Sequence, residues 1–340
     1  MLTKRPAPPP AVAPVDQHRL VILRLLLDDP RLDLAELDWA AVRTIAEHTG
    51  VIVRVADAVA RRRGGEPLPP HLAESAARAC GRTQRVLEIV DQLGAACTRQ
   101  GIAHAVLKTA ERYPDTGRDI DLLISAARRD TPILRSLPAI ARRRTWRHRI
   151  AGSSTFTAAH GIVIDIWHGR LGSLGEHARF ARLLLERARP VAVGVTSFVA
   201  PTPEDHLLLI AAQQMFTRPA LRLADVYWTI ATLKDRQLNW DYLFATALSM
   251  GIGAALGTYL RYVNRLYAHA FDRPLLADHV TTRFEGSVHD AERFPAPRIA
   301  ARHYLQQIGA TLESGRWHSA ARLSLLPVVA AAALTHRRIR

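Results

Sequence analysis

The stretch that decides the fold is IAHAVLKTAERYPDTGRDIDLLI, residues 102–124 of a 340-residue chain. It predicts an apolar strand that ends before Lys108, a polar turn that starts a short helix, and a second strand that carries Asp119 and Asp121. Side chains alternate between the two faces of a strand, so the two aspartates share one face above an apolar floor. Two like charges about 7 Å apart along a strand repel each other unless a cation lies between them. Because Mg²⁺ prefers oxygen ligands, the stretch predicts a metal site.

A third carboxylate lies in a later apolar strand, IVIDIWH, residues 162–168. There Asp165 shares a face with Val163 and Trp167, while isoleucines form the opposite, core-facing side. An aspartate within such a strand is unfavourable unless it has a partner. If the strands of Asp121 and Asp165 are neighbours in one sheet, three carboxylates converge on one spot. Three carboxylates around two Mg²⁺ ions form the usual apparatus for in-line displacement at phosphorus.

Lys108 and Thr109 stand where the first strand gives way to a helix. The exposed N–H groups at the start of a helix attract phosphate, and an ammonium and a hydroxyl would add donors. A plain turn with a solvated lysine is the alternative for these two residues taken alone. The carboxylates downstream favour phosphate binding.

The chain divides by pattern into a tail and three regions. Residues 1–14 are a proline-rich tail expected to be disordered, 15–100 read as helices, 101–200 as a mixed α/β unit, and 201–340 as helices again. Strands are expected at 102–107, 119–124, 150–157, 162–167 and 191–199, and helices at 16–27, 38–50, 51–63, 71–100, 131–143, 176–187, 203–215, 221–233, 241–250, 252–266, 297–312 and 316–335. The predicted fold class is therefore α+β, with a small mixed sheet flanked by N- and C-terminal helical regions.

Two of the expected helices have matching ends. Asp38 and Asn239 are good N-cap residues, and Gly50 and Gly251 follow them at the same interval and suit helix C-termini. We interpret the two as similarly capped helices that pack on a common core rather than as a functional repeat.

The chain is strongly basic, with a formal net charge of +15 and a pI of about 10.9. This charge permits an anionic partner such as a nucleotide, a nucleic acid or an acidic surface. Nearly all of the basicity is arginine scattered among alanines, which a composition-biased genome also produces. Charge alone therefore does not establish a nucleic-acid partner.

The two cysteines, Cys80 and Cys97, lack the spacing of a zinc site or a disulfide framework, so a reducing cytoplasm is the expected location. The proline-rich N-terminus does not have the continuous apolar segment of a signal peptide. The apolar run at 323–334 is too short to span a bilayer. We expect no integral membrane association.

The order of strand, polar turn, helix, D-h-D pair and later aspartate resembles the nucleotidyltransferase superfamily with a DNA polymerase β-like core. More narrowly, LKTAERYPDTGRDIDLLI is similar to the L-K-G…R-x-x-D-I-D-L-L-V pattern of a bacterial group known as uncharacterised nucleotidyltransferases. The segment at 201–247 also resembles the C-terminal helical region of that group, and the resemblance covers about residues 37–266.

The resemblance implies roles for individual residues. Asp119 and Asp121 would bind two metal ions, and Asp165 would bind the ion that activates the acceptor. Lys108 and Thr109 would occupy the triphosphate-binding turn, and Arg118 would contact phosphate or hold the loop. Arg222 and Asp225 match a family position and would face the nucleotide, although a salt bridge that packs two helices explains them equally well.

Two residues depart from the family pattern. Thr109 stands where the family has glycine, which lets the backbone approach phosphate closely. The later strand of the family reads D-h-H-W, whereas this chain has Trp167 before His168. The first change predicts weaker or differently shaped triphosphate binding, and the second puts in doubt any role of His168 as a base.

The resulting hypothesis is a Mg²⁺-dependent nucleotidyltransferase that uses two ions. It would transfer a nucleoside monophosphate, for example AMP from ATP, to an acceptor that is RNA, a peptide or protein, or a small molecule. The alternative is a catalytically silent adaptor that keeps the fold and binds nucleotide or RNA.

Overall fold

The computed structural model describes residues 14–117, 119–125, 141–143, 148, 151–216, 221–283 and 297–325. Arg118 and residues 1–13 of the expected tail lie outside this set. Most of the helix expected at 131–143 and the last part of the one expected at 316–335 also lie outside it. The expected helices before the sheet are present as α1 (Pro14–Leu26), α2 (Trp39–Thr49), α3 (Ile52–Arg63) and α4 (Pro70–Arg99).

The predicted caps are confirmed. The Asp38 carboxylate accepts hydrogen bonds from the first backbone N–H groups of α2, and Gly50 ends that helix in the left-handed conformation at φ 72°. The Asn239 side chain likewise accepts from the N–H of Tyr242, and Gly251 ends its helix at φ 73°. Glycine adopts this conformation without the steric penalty that a Cβ atom imposes.

A five-stranded mixed sheet forms the centre of the molecule. Its strands lie in the order β1-β2-β5-β4-β3, and β2 and β5 run parallel while the other pairs are antiparallel. The elements are β1 (His104–Leu107), α5 (Thr109–Arg112), β2 (Asp119–Ile124), β3 (Ala141–Arg143), β4 (Ser153–Thr157) and β5 (Val163–His168). The predicted small mixed sheet is thus confirmed.

Two details of the sequence prediction were wrong. The single strand expected at 191–199 is a hairpin of β6 (Arg189–Val193) and β7 (Thr196–Ala200), because Gly194 adopts φ 59° and the chain reverses there. Residues 141–143, expected to end a helix, form β3 because their backbone pairs with β4.

One face of the sheet is largely apolar. Ile120, Leu122 and Ile124 of β2 and their neighbours on β5 pack against α4 and the β6–β7 hairpin. The other face carries the aspartates, and further along it Leu107 and Leu123 join a core formed with the C-terminal helices. The strand alternation inferred from the sequence therefore separates a buried floor from a functional face.

The remaining helices cover the functional face and extend beyond it. They are α6 (Ala178–Arg187), α7 (Pro203–Phe216), α8 (Leu223–Asp235), α9 (Trp240–Met250), α10 (Gly253–Phe271), α11 (Asp278–Thr282), α12 (Pro297–Glu313) and α13 (Trp317–Ser324). Across the described ranges, none of the helices is long and apolar enough to cross a membrane.

Candidate functional site

The three aspartates singled out in the sequence lie on one face of two adjacent strands. Asp121 on β2 stands directly opposite Asp165 on β5 in the parallel register. Asp119 precedes Asp121 by two residues and is exposed at the start of β2, whereas Asp121 is only 8% exposed. The sequence hypothesis that the two strands are neighbours is confirmed. Asp119 is exposed, Asp165 is half-buried and Asp121 is buried, and together they are called the carboxylate row below.

The Asp121 carboxylate is held by two side chains. The Lys108 ammonium lies 2.5 Å from Oδ2, and the Trp167 indole N–H donates to Oδ1 over 3.1 Å. Burial by itself would raise the pKa of Asp121, but the Lys108 charge and the two hydrogen bonds lower it below its usual value. Asp121 is therefore an ionised carboxylate at neutral pH, with Lys108 as its resident counter-ion.

Asp165 has a different environment. The hydroxyl of Thr155, its cross-strand partner on β4, donates to Asp165 Oδ1, and the same hydroxyl lies 3.0 Å from His148 Nε2. Burial raises the pKa of Asp165, and repulsion from Asp121 and Asp119 raises it further. The face therefore carries negative charge that Lys108 only partly compensates.

A hard divalent cation would fit this donor set. Three carboxylates supply the oxygen ligands that Mg²⁺ prefers, and a cation would relieve the repulsion felt by Asp165. Among the described residues, no three or more His, Cys, Asp or Glu side chains are already arranged around a metal position. Lys108 and Trp167 contact Asp121 instead, so a cation there would have to displace the ammonium.

The turn before α5 takes its shape from Lys108 rather than from Thr109. Lys108 adopts φ 64° and ψ −3°, in the left-handed region, whereas Thr109 is not among the residues with positive φ. The Thr109 side chain is buried, and its hydroxyl points to the Leu107 carbonyl at 3.5 Å. Threonine at position 109, where the family has glycine, therefore does not force the backbone into a strained conformation.

The order Trp167-His168 places tryptophan on the functional face. Trp167 lies two residues after Asp165 on β5 and reaches Asp121, while His168 is on the other side of the strand with Nε2 3.1 Å from the Ser154 hydroxyl. The imidazole is thus turned away from the aspartates. His160, the next histidine before β5, lies in a single 3₁₀ turn at Ala159–Gly161.

Sequence reasoning missed the residues that anchor the loop before β2. Asp115 is buried and accepts hydrogen bonds from the backbone N–H groups of Val53 and Arg54, at 2.6 and 3.1 Å, and from the Arg54 guanidinium at 3.1 Å. Arg54 also donates to the carbonyls of Glu111 and Arg112 at the end of α5. The start of α3 is therefore locked to the loop that leads into Asp119.

A second anchor comes from α4. The Thr83 hydroxyl donates to the Pro114 carbonyl over 2.7 Å and accepts from the Thr116 hydroxyl over 2.9 Å. The sequence of this loop is YPDTG, residues 113–117. Its partners lie some thirty or more residues earlier, so no local pattern could have revealed them.

Asp225 lies beneath α5 in a buried polar cluster. It is 2% exposed, its Oδ1 lies 3.5 Å from Arg112 Nε, and it accepts a hydrogen bond from Gln214. In the same cluster Glu111 Oε1 lies 3.2 Å from His206 Nδ1. The structure thus places Asp225 in an ion pair that ties α8 to α5, one of the two alternatives left open by the sequence.

Burial shifts the pKa values of the Glu111–His206 pair in opposite directions. Loss of solvent raises the pKa of Glu111 to about 7 and lowers that of His206 to about 3. Both shifts favour the neutral forms, because ions are poorly solvated in the interior. The pair therefore carries little net charge below pH 7.

The Arg222 guanidinium lies over Gly50, the glycine that ends α2. A Cβ atom on Gly50 would come within 2.9 Å of its Nη2. Arg222 also lines a cavity of about 290 Å³ together with Arg78, Arg82 and Gly117. Glu47 and Asp115 also line this cavity, and Gly117 stands two residues before Asp119 in the chain.

Comparison with known proteins gives one match. A family model described as "Uncharacterised nucleotidyltransferase" matches residues 35–268, a span that includes α2, the whole central sheet and most of α10. No curated protein and no solved structure matches the chain.

Proposed function

The chain belongs to the uncharacterised nucleotidyltransferase family, and from this premise we propose that it transfers a nucleoside monophosphate from an NTP to an acceptor at the face formed by Asp119, Asp121 and Asp165. The observation that carries the proposal is the register of β2 and β5, which puts Asp121 opposite Asp165 with Lys108 beside them. The donor is a nucleoside triphosphate, for example ATP. Transfer of nucleotidyl groups in general follows from membership of the family. We propose in addition that these three aspartates and Mg²⁺ carry out the transfer.

Asp119 and Asp121 would hold two Mg²⁺ ions, and Asp165 would share one of them. Bound there, the ions would lower the pKa of an acceptor hydroxyl and neutralise charge on the departing pyrophosphate. A lone pair of the acceptor oxygen forms the new bond to the α-phosphorus while the bond from that phosphorus to the β-phosphate oxygen breaks. The acceptor hydroxyl gives up its proton to solvent, and the electron pair of the broken bond leaves with pyrophosphate.

Lys108 changes partner in this scheme. In the structure its ammonium neutralises Asp121, and the triphosphate of the substrate would offer it a more highly charged partner. We expect Lys108 to move from the carboxylate to the phosphates when the metal-bound nucleotide enters. Trp167 stays on Asp121 and keeps that carboxylate oriented.

The anchored loop and the arginines supply the rest of the site. Asp115 and Thr83 hold the backbone before Asp119 in place, so the first carboxylate is presented from a rigid support. Arg222 and its neighbours add positive charge next to Gly117, where phosphate groups of a substrate would be attracted.

The decisive experiment replaces one carboxylate. Asp121→Asn should abolish transfer of label from α-labelled NTP to any acceptor, while its circular dichroism spectrum stays that of the wild type. Asp57→Asn, at an exposed position on α3, is the matched control and should transfer label normally. Near-normal transfer by Asp121→Asn would remove the proposal.

A silent adaptor is the second candidate, favoured by the pairing of Asp121 with Lys108 and by the lack of a preformed metal cluster within the described residues. Calorimetric titration separates the two functions. The transferase predicts nucleotide binding that requires Mg²⁺ and is lost in Asp119→Asn. Binding of RNA without metal, unchanged in Asp119→Asn, would favour the adaptor.

A further inference from the structure

A cavity of about 190 Å³ lies between the central sheet and the C-terminal helices. Lys108 and Trp167 form part of its wall, and both side chains also contact Asp121. A molecule bound in the cavity would therefore be separated from the carboxylate row by no more than one side chain. This position makes the cavity part of the candidate active site rather than a distant void.

Most of the wall is apolar. It includes aromatic and aliphatic side chains from several elements, namely Phe180, Leu209, Phe216, Met250 and Leu323. Burying such surface against a ligand is favourable because it removes apolar area from water. The lining predicts a ligand with an apolar body.

The polar part of the wall consists of buried side chains held by hydrogen bonds. The Glu176 side chain is 8% exposed, and its Oε2 accepts the Leu174 N–H over 2.8 Å. Gly172 makes room for it, since a Cβ atom there would lie 2.3 Å from the Glu176 carboxyl carbon. Beside it, His177 Nε2 lies 3.3 Å from Gln307 Nε2, and burial lowers the pKa of His177, so its ring is neutral at pH 7.

The size and charge of the cavity limit what it can hold. An apolar cavity of about 150 Å³ accommodates a benzene molecule, so this one has room for a body of roughly one or two rings. Lys108 and Glu176 contribute one positive and one negative group to the wall. A triphosphate would be repelled by Glu176 inside the cavity, whereas Lys108 and the arginines near Gly117 offer it positive charge.

We propose that this cavity binds the apolar body of the acceptor, and that the acceptor is a small aromatic or alicyclic alcohol whose hydroxyl points past Lys108 and Trp167 towards the aspartates. This inference rests on the proposed nucleotidyl transfer and adds the substrate class to it. Only one side chain of a peptide or one base of an RNA could enter the cavity, so the proposal commits to the small-molecule acceptor, whose whole ring system the cavity can hold.

Binding of 4-methylphenol to the nucleotide-free protein, followed by ligand-observed NMR, tests the cavity directly. Ala212 lines the cavity, so Ala212→Phe should fill it and weaken binding at least tenfold. Ala245→Phe, the same exchange at an exposed site on α9, should bind as the wild type does. Equal binding by the wild type and Ala212→Phe would overturn the proposal, and so would no binding by either.

A second variant covers the case in which Ala212→Phe does not fold. Leu209→Ala enlarges the cavity and should shift the preference from 4-methylphenol towards the larger 2-naphthol. An unchanged preference would count against the cavity as the binding site.

Phenol binding is then measured again at saturating Mg²⁺ and ATP. This measurement shows which part of the substrate occupies the cavity. The phenol and the nucleotide should bind together. Mutual exclusion would place the nucleobase in the cavity and overturn the acceptor assignment. Because phenol binding is read without nucleotide, a protein that binds phenol but never transfers label would refute the proposed function and not the cavity.

Discussion

Lys108 has two electrostatic roles, one observed and one proposed. Its ammonium is the counter-ion of Asp121 in the structure and the proposed partner of the triphosphate. Lys108→Met should raise the pKa of Asp121, because burial would then act with less opposition. It should weaken nucleotide binding by about 10- to 100-fold, the range for hydrogen bonds to charged groups.

Isothermal titration with Mg²⁺ and NTP measures this effect. Lys234→Met, at an exposed position on α8, is the control and should bind nucleotide as the wild type does. Unchanged affinity in Lys108→Met would show that the turn does not bind phosphate.

Trp167 takes the place on the functional face that histidine has in the family pattern. Its indole N–H is a donor at every pH, whereas an imidazole titrates near pH 6.5. Trp167→Phe removes the hydrogen bond to Asp121 and should lower the transfer rate about tenfold. Trp167→His should restore part of the rate and add a dependence on pH near neutrality. The pH–rate profiles of the three proteins check this, and a fully active Trp167→Phe would show that the hydrogen bond does not position Asp121.

At the scale of elements, α3 is coupled to the loop before β2 through Asp115. Asp115→Ala would leave two N–H groups of α3 without their acceptor and Arg54 without its carboxylate. We expect a loss of about 1–3 kcal/mol in the free energy of unfolding. Urea denaturation measures it, with Asp57→Ala on the exposed side of α3 as the control. If both variants lose the same stability, the hydrogen bonds between α3 and Asp115 do not stabilise the fold.

The contact between α5 and α7 should make stability depend on pH. The pKa of Glu111 in the folded protein is about 7, raised by burial from its usual 4.5. A raised acid pKa contributes stability below about pH 4.5 that is lost as the pH rises to 7 and above. Glu111→Gln has no carboxyl group to ionise at position 111. From pH 6 to pH 8 its free energy of unfolding should therefore rise by about 1 kcal/mol relative to that of the wild type.

Urea denaturation of both proteins at the two pH values gives this difference. His206 is present in both, so its own titration cancels in the comparison. Parallel pH profiles would mean that Glu111 is ionised in the fold and is stabilised by Arg112 instead.

At the scale of the whole molecule, the hydrophobic cores cross the boundaries between the regions seen in the sequence. Leu23 of α1 and Leu123 of β2 belong to the core of the C-terminal helices, and Leu223 of α8 belongs to the core of the N-terminal helices. We therefore expect residues 15–100, 101–200 and 201–340 to unfold together. Thermal unfolding followed by far-UV circular dichroism and by tryptophan fluorescence should give one common midpoint, and two separate transitions would contradict the prediction.

Local patterns were sufficient for much of the fold. Alternation predicted which side of β2 and β5 carries the aspartates, and the caps at Asp38 and Asn239 predicted where α2 and α9 begin. The hairpin at Gly194 was missed because a β-branched run looks the same whether or not the chain reverses within it. A strand reversal depends on the φ of one residue, which composition does not specify.

The sequence by itself determined which residues are candidates, namely three aspartates on apolar strands and a lysine at a turn, and the family to which the chain belongs. Only the tertiary structure decided which side chains and cavities surround these residues. It paired Lys108 and Trp167 with Asp121, supported α5 from below with Asp225, and placed an apolar cavity beside the carboxylates. The physical reason is range, because periodicity and capping act between near neighbours in the chain, whereas burial, counter-ions and cavities arise where distant segments pack.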